Sequence, residues 1–346
     1  MLTNQHNLSA NKLETLRPIL AEARSLLIVM QDYPDPDALA SAAALRALAH
    51  AFGEARTSLT CGGVIGRAEN RALADYLRLP VRLFEDVDRS RFDVIALVDT
   101  QPGTGNNALP REISPTVVLD HHPLFPNTQN CKFFDVRPNY GATATIVYEY
   151  LVEANVDIDI PLATALVYGI RSDTHDLGRD SSRADLEAMS ALYPKANHRM
   201  LSEIQTSKTP RTYFRMINSA LQNAYVLGDC VVSDVGRIET PDIVGEIADL
   251  LLRDDQCQWS LCFGVFGDLI LLSLRTSDWR TSAGSVMRTL VSGIGTGGGH
   301  RMMAGGQIRC IGDADATEAR SQLEQRIETL LCDMLQITDR EPRPFL

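Results

Sequence analysis

The sequence lacks what several large protein classes require. No apolar run reaches the ~18 residues that span a bilayer. The bursts at 26–30 and 94–98 have the length of strands. There is no basic excess, since 33 Lys and Arg stand against 44 Asp and Glu, a formal net charge of −11. Proteins that grip long duplex nucleic acid draw most of their affinity from phosphate neutralisation. That class is disfavoured, while a short phosphorylated ligand held in a local basic pocket is not. The seven cysteines, at 61, 131, 230, 257, 262, 310 and 332, form no CxxC pair. Cys257 and Cys262 are the nearest two, and no zinc-finger type of His or Cys cluster surrounds them. A scattered, odd set reads as reduced thiols. The polar opening 1–18 has no signal-type apolar core. The expectation is a cytoplasmic protein with no membrane contact. No GxSxG or equivalent nucleophile motif occurs, and there is neither an internal repeat nor a low-complexity segment.

The chain has 346 residues, 45% of them apolar and 22% charged. That favours two folded domains with ample core. Residues 11–24 have helical spacing, 26–30 read as a strand, and the Ala- and Leu-rich 38–52 read as a helix. The alternation continues with strands at 57–61, 94–98 and 116–119 and helices at 68–79, 142–152 and 161–170. Short apolar strands alternating with helices imply an α/β fold with a parallel sheet covered on both faces. Ligands in such folds bind beyond the carboxyl ends of the strands. Helices at 185–192 and 213–224 flank a polar, Pro-bearing connection. After 225 the texture changes to alternating strands, with a hairpin at Gly267-Asp268 and a helix at 241–252. A Gly-rich loop, GIGTGGGH, and an amphipathic helix at 316–335 close the chain. The boundaries are a catalytic domain over 1–195, a helical linker over 196–224 and a smaller α/β domain over 225–346.

Candidate chemistry collects at the ends of the early strands. Asp35 and Asp37 sit in a proline-stiffened elbow, where two carboxylates can face different cations. For an isolated pair a solvated acidic turn is the better explanation. Asp99 directly follows the strand 94–98, and it is either a ligand or a turn former. Asp120, His121 and His122 follow the next strand, and mixed carboxylate and imidazole donors suit Mn²⁺, Zn²⁺ or Fe²⁺ better than Ca²⁺. Asp173 lies beside His175 and Asp176 in what reads as a helix-exit loop over 171–179. Together these supply ligands for two cations, which can clamp a phosphoryl group and hold a hydroxide for attack. In the second half, Gly297, Gly298, Gly299 and His300 let backbone amides approach a phosphate or base, or make a tight turn. Arg275 is a phosphate clamp or a surface arginine.

In this order the motifs resemble the DHH–DHHA1 phosphoesterases. The matching pieces are PDPDALAS (34–41), VDT (98–100), DHH (120–122), GATAT (141–145), GIRSDT (169–174), SLR (273–275) and GGGHRMMAGG (297–306). The family includes single-strand exonucleases, nanoRNases, 3′-phosphoadenosine-phosphate phosphatases and cyclic-dinucleotide phosphodiesterases. The resemblance implies an N-terminal DHH domain, a DHHA1-like C-terminal domain and an active-site cleft between them. It also implies two cations, most often Mn²⁺ with Mg²⁺ as the alternative. One takes Asp35 and Asp99. The other takes Asp37, Asp99, His121 and Asp173, with Asp99 bridging. Asp120 then orients the histidine, and His122 faces the scissile phosphate. Arg275, Gly298, Gly299 and His300 hold the rest of the nucleotide.

One position departs from the pattern. The family's first motif reads His-x-x-x-Asp-x-Asp, and here the first residue is Gln31. An amide oxygen is the poorer ligand for Mn²⁺, so the first cation is expected to be weakly held, replaced by Mg²⁺, or absent. His175 is a candidate to compensate. The expected activity is metal-dependent hydrolysis of a short nucleotide, either a linear or cyclic dinucleotide, nano-RNA or 3′-phosphoadenosine phosphate. A catalytically weakened nucleotide-binding protein is the alternative, and a homodimer is the base-rate oligomer.

Overall fold

The computed structural model describes residues 2–299 and 301–346, with the side chains of 2–7 and 313 left aside. The chain divides into two compact units, Met1–Lys208 and Thr209–Leu346. Among the described residues no helix is long and apolar enough to cross a membrane. All seven cysteines are buried thiols.

In the first unit the elements run α1 (Leu2–Ala21), β1 (Ser25–Val29), α2 (Pro36–Phe52), β2 (Arg56–Cys61), α3 (Ala68–Tyr76), β3 (Val81–Leu83), β4 (Val94–Val98), β5 (Val117–Asp120), β6 (Phe133–Val136), α4 (Thr143–Glu153), α5 (Ile160–Thr174), α6 (Arg183–Leu192) and α7 (His198–Gln205). The strands form a six-stranded sheet in the order β3-β2-β1-β4-β5-β6, and every pairing is parallel. Both faces are covered, as the unbroken apolar strands required. Leu26 and Ile28 of β1 enter the larger core with Ala96, Val98, Val117 and Leu119. Their neighbours Leu27 and Val29 enter a smaller one with Leu97 and Val118. The α-helices supply only the larger core. Loop and 3₁₀ residues such as Phe84, Val87, Leu109 and Cys131 cover the other face.

Residues 36–45 of helix α2 are all buried, and the helix becomes exposed only toward its end, at His50 and Ala51. Leu39, Leu45 and Leu48 are fully buried, and each contributes about 2 kcal/mol relative to exposure. A Cβ on Gly169 of α5 would come within 3.1 Å of Ala40 Cβ and 3.2 Å of Asp37 Cα. Glycine at that point lets the two helices approach closely, one turn before Asp173.

The second unit runs α8 (Arg211–Gln222), β7 (Ala224–Leu227), β8 (Cys230–Arg237), α9 (Ile243–Leu251), β9 (Trp259–Phe266), β10 (Leu269–Thr276), α10 (Ala283–Leu290), β11 (Thr296–Gly299), β12 (Met303–Arg309), α11 (Gly312–Arg326), α12 (Cys332–Met334) and β13 (Arg343–Pro344). Its seven-stranded sheet has the order β11-β12-β10-β9-β8-β7-β13. Only β8 and β9 pair in parallel, so the sheet is mixed. The hairpin between β9 and β10 turns at Gly267, where φ is +55°.

Two readings need correction here. Within the Gly-rich stretch, residues 296–299 are a strand, not a loop, and pair with β12 at the sheet edge. Lack of side chains lets this strand lie under α10, since a Cβ on Gly297 would meet Met287 Cγ at 2.8 Å. The last helix is also not continuous. A π-helical turn, Ile327–Leu331, separates α11 from α12, and the wider turn brings Ile327, Leu331 and Cys332 all into the core.

Candidate metal centre

The sheet order reverses between β1 and β4, where the chain leaves in opposite directions along the sheet. Such a switch point opens a crevice at the carboxyl ends of the strands. Asp35 and Asp37 follow β1, Asp99 follows β4, and His121 follows β5. Local physics then fixes each side chain.

Asp35 caps α2, and its Oδ1 accepts the Ala38 amide at 2.9 Å. Asp37, two residues on, is fully buried. Its Oδ2 accepts the Thr143 amide at 2.7 Å and its Oδ1 the Ala144 amide at 2.7 Å. Those amides open α4, whose N-cap residue is Ala142 and offers no capping side chain. A helix start leaves N–H groups without intrahelical partners and carries partial positive charge. The carboxylate of Asp37 satisfies that end from another segment of the chain.

Asp99 is also fully buried. Its backbone adopts a left-handed conformation with φ +59°, and its amide donates to the Leu119 carbonyl at 2.9 Å. Left-handed backbone costs little for Asp compared with branched residues. Its Oδ1 accepts the Thr143 hydroxyl at 2.9 Å. Thr143 therefore touches both buried acids, one through its amide and one through its hydroxyl.

His121 is buried with Nδ1 3.2 Å from the Tyr140 carbonyl, a contact that places the proton on Nδ1 and turns Nε2 inward. Nε2 lies 3.2 Å from Asp173 Oδ2, 3.7 Å from Asp99 Oδ1 and 4.0 Å from Asp37 Oδ2. Asp173 sits in the last turn of α5. That helix continues through Thr174 and ends at His175 in the left-handed conformation, so the exit loop expected from 171 begins later. The His175 side chain is exposed, and it belongs to neither metal-capable group among the described residues.

Asp120 holds the second histidine of its motif. Its Oδ1 accepts His122 Nδ1 at 2.8 Å and its Oδ2 accepts Gln101 Nε2 at 2.6 Å. Gln101 is fully buried and uses its whole amide, for it also donates to Pro123 O and accepts from Phe125 N and Thr128 Oγ1. Asp185 does a comparable job at α4. It is fully buried and accepts the Gly141 amide at 2.8 Å, the Ser182 amide at 2.7 Å and the Thr145 hydroxyl at 2.5 Å. Sequence reasoning missed Gln101, Thr143, Tyr140 and Asp185 as site residues. The GATAT run was the available signal for Thr143, since a glycine and a threonine directly precede or open an apolar helix.

The electrostatics mark a site short of positive charge. Burial raises the Asp37 carboxyl to about 6, with Asp173 adding to it. Burial, then Asp37 and Asp35, push Asp99 well above the usual carboxylate range. Asp35 and Asp173 are also raised, by burial and then by Asp37 and Asp35 respectively. Burial alone would lower the His121 imidazole, but Asp173, Asp37 and Asp120 outweigh it and bring it up to about 10. Asp120 goes the other way. Burial raises it, yet His122, His121 and Gln101 bring it down to about 2. Clustered carboxylates that resist ionisation are stabilised by protons or by a cation. Asp37, His121 and Asp173 offer donor atoms within 4.8 Å of one another, as do Asp99, His121 and His122. Mixed oxygen and imidazole donors fit a divalent transition ion or Mg²⁺.

The residues expected to bind the rest of a ligand lie in the second unit. Arg275, on β10, donates through Nε to Asp249 Oδ1 at 2.7 Å and through Nη1 to Ser273 Oγ at 2.6 Å. It is an engaged, largely buried arginine. A Cβ on Gly298 would meet nothing within 4 Å, so its backbone is open to close approach. Gly299 has φ +147°, and a Cβ there would come within 2.3 Å of the Met303 carbonyl. Its requirement for glycine is internal. His300 lies outside the described residues.

The uncharacterized protein MJ1633 of Methanocaldococcus jannaschii is 33% identical over 324 residues, covering 91% of this chain and 65% of the relative. The A-adding tRNA nucleotidyltransferase of Geobacter sulfurreducens is 27% identical over 249 residues, covering 67% of this chain and 27% of that protein. The chain thus spans less than two thirds of the length of both. An exopolyphosphatase-related protein from Bacteroides fragilis has the same fold, with TM-score 0.74 and 16% identity over 94% of this chain and 98% of its own. Residues 26–170 match the DHH family, N-terminal domain, and residues 227–329 match the DHHA1 domain. Carrying both domains in that order, the chain belongs to the DHH–DHHA1 family of phosphoesterases.

Proposed function

We propose that this protein is a divalent-metal-dependent phosphoesterase that hydrolyses short nucleotides. The substrates in view are linear or cyclic dinucleotides, nano-RNA and 3′-phosphoadenosine phosphate. The observation that carries the reading is the convergence of Asp37, Asp99 and Asp173 on the Nε2 edge of His121. Members of the DHH family depend on divalent metals, and Mn²⁺ is the ion proposed here, because the donors include an imidazole. When bound, the cation supplies the Lewis acidity that offsets charge on a phosphoryl group and makes water nucleophilic near neutral pH.

The chain's own groups do the rest. Thr143 and the amides of α4 hold the acids in place before substrate arrives, so no reorganisation is needed at reaction. Asp120 fixes the His122 ring through Nδ1. His122 is partly exposed, and the proposal gives it the developing charge on the scissile phosphate. Arg275, Gly298, Gly299 and His300 are proposed to recognise the remainder of the nucleotide. The net charge of −11 favours a short substrate over a long strand. Similarity to a protein named for tRNA nucleotidyl transfer supports a nucleotide over polyphosphate.

The test is turnover by the purified chain with 5′-phosphorylated RNA dinucleotides, cyclic dinucleotides and 3′-phosphoadenosine phosphate. Each is run with Mn²⁺, Mg²⁺ or EDTA. Metal-dependent release of mononucleotides or phosphate from at least one substrate is expected. Tight nucleotide binding with no turnover in either metal would instead favour the binding-protein reading, which the Gln31 contact with Asp35 at 2.8 Å motivates.

A further inference from the structure

The other end of the acidic crevice is built differently. Gln31 Nε2 lies 2.8 Å from Asp35 Oδ2 and 3.4 Å from Asp99 Oδ2. Asp35 has its second oxygen on the Ala38 amide at 2.9 Å. Both Asp35 oxygens are thus engaged by N–H donors of the chain. Neither metal-capable group among the described residues includes Asp35. Turned the other way, the Gln31 amide would set its oxygen against two carboxylate oxygens, and the donated contacts would be lost. An amide N–H has no lone pair to give a metal, whereas an imidazole at the same place would.

We propose that the Gln31 amide takes the place of one cation and that the chain binds a single divalent ion, held by Asp37, Asp99, His121 and Asp173. This rests on the metal-centre reading above. Asp35 is then a helix cap and a partner of Gln31, not a metal ligand. The amide bridges Asp35 and Asp99 without adding net charge, so their mutual repulsion is relieved by hydrogen bonding instead of by a second ion. The two ends of one crevice differ. At one end the acids face an imidazole nitrogen, and at the other they face an amide hydrogen.

Metal content decides it, independently of turnover. The full chain is stripped with EDTA, dialysed against Mn²⁺, and its bound metal counted by elemental analysis and by Mn²⁺ electron paramagnetic resonance. The expected result is about one ion per chain with the spectrum of an isolated, uncoupled Mn²⁺. Gln31→His should raise the content to about two and introduce spin coupling between neighbouring ions. Asp35→Asn keeps a good helix cap and should leave Mn²⁺ affinity within about two-fold of the parent, while Asp37→Asn should lower it by about 100-fold or more. Two coupled ions in the unaltered chain would overturn the proposal. A folded Gln31→His variant still holding one ion would overturn the role given to Gln31. No bound Mn²⁺ at all would overturn the metal centre itself, a distinct failure.

Discussion

The two units use their sheets in opposite ways. In the first, the parallel strands β1, β4 and β5 end together and deliver acids and histidines into one crevice. In the second, mostly antiparallel strands put glycines at an edge, and among the described residues its candidate recognition groups are backbone and one arginine already paired with Asp249. Chemistry carried by side chains at strand ends is written in residue types. Recognition carried by backbone is written in absences, and an absent side chain serves packing as readily as binding. Gly298 and Gly299 show both cases side by side: one faces open space, and the other is required by the Met303 carbonyl.

This contrast can be broken experimentally. The largest effect is expected from Asp37→Ala, which removes a metal ligand and the group that satisfies the start of α4. Turnover should fall by about 10³-fold or more, equal to about 4 kcal/mol, in a steady-state assay on whichever nucleotide the parent cleaves. Asp185→Ala touches no candidate ligand but strands the buried donors of Gly141 and Thr145 and the partly buried amide of Ser182. It should cost about 3 kcal/mol of stability by urea unfolding and weaken metal binding through the displaced Thr143 turn. In the second unit Gly299→Ala should destabilise by about 2 kcal/mol, because its φ and its contact with Met303 are both incompatible with a Cβ. Gly298→Ala should change stability by less than about 0.5 kcal/mol. A loss of nucleotide affinity in Gly298→Ala alone would assign recognition to that strand.

A modest, pH-dependent effect is expected at the amino end of β1, far from the site. Burial raises the Asp93 carboxyl, but the amides of Arg24 and Ser25, with the Ser25 hydroxyl, outweigh it and bring it down to about 2. A lowered carboxyl contributes stability above its unfolded value of about 3.9 and loses it as pH falls toward the folded value. Asp93 is about one-third exposed, so Asp93→Asn should cost only about 1 kcal/mol at neutral pH. The gap between variant and parent should close as urea unfolding is repeated from about pH 5 downward.

The parallel sheet was legible because unbroken apolar strands such as LLIV have to be covered on both faces. The candidate acids were legible because each follows such a strand or ends an apolar helix. What escaped was the support beneath them. Gln101, Thr143 and Asp185 are ordinary polar residues until the fold joins them to Asp120, Asp99 and Gly141, partners 19, 44 and 44 residues away. The end of α5 was misplaced by a few residues because RSDT reads as polar loop. Its left-handed cap at His175 is a backbone conformation that residue type alone signals weakly. The glycines of β11 read as a loop whose amides approach a phosphate or base, or as a tight turn, while in the fold they let a strand lie under a helix.

The account stands most directly on Asp99, whose oxygens face Thr143 and His121 on one side and Gln31 on the other. The decisive measurement is metal-dependent hydrolysis of the cleaved nucleotide by Asp99→Ala beside the parent, with thermal unfolding to show that the variant is folded. Turnover reduced to the EDTA background in a folded protein is the predicted result. Turnover within about ten-fold of the parent, a change of only about 1.4 kcal/mol, would contradict the assignment of the crevice as the catalytic centre.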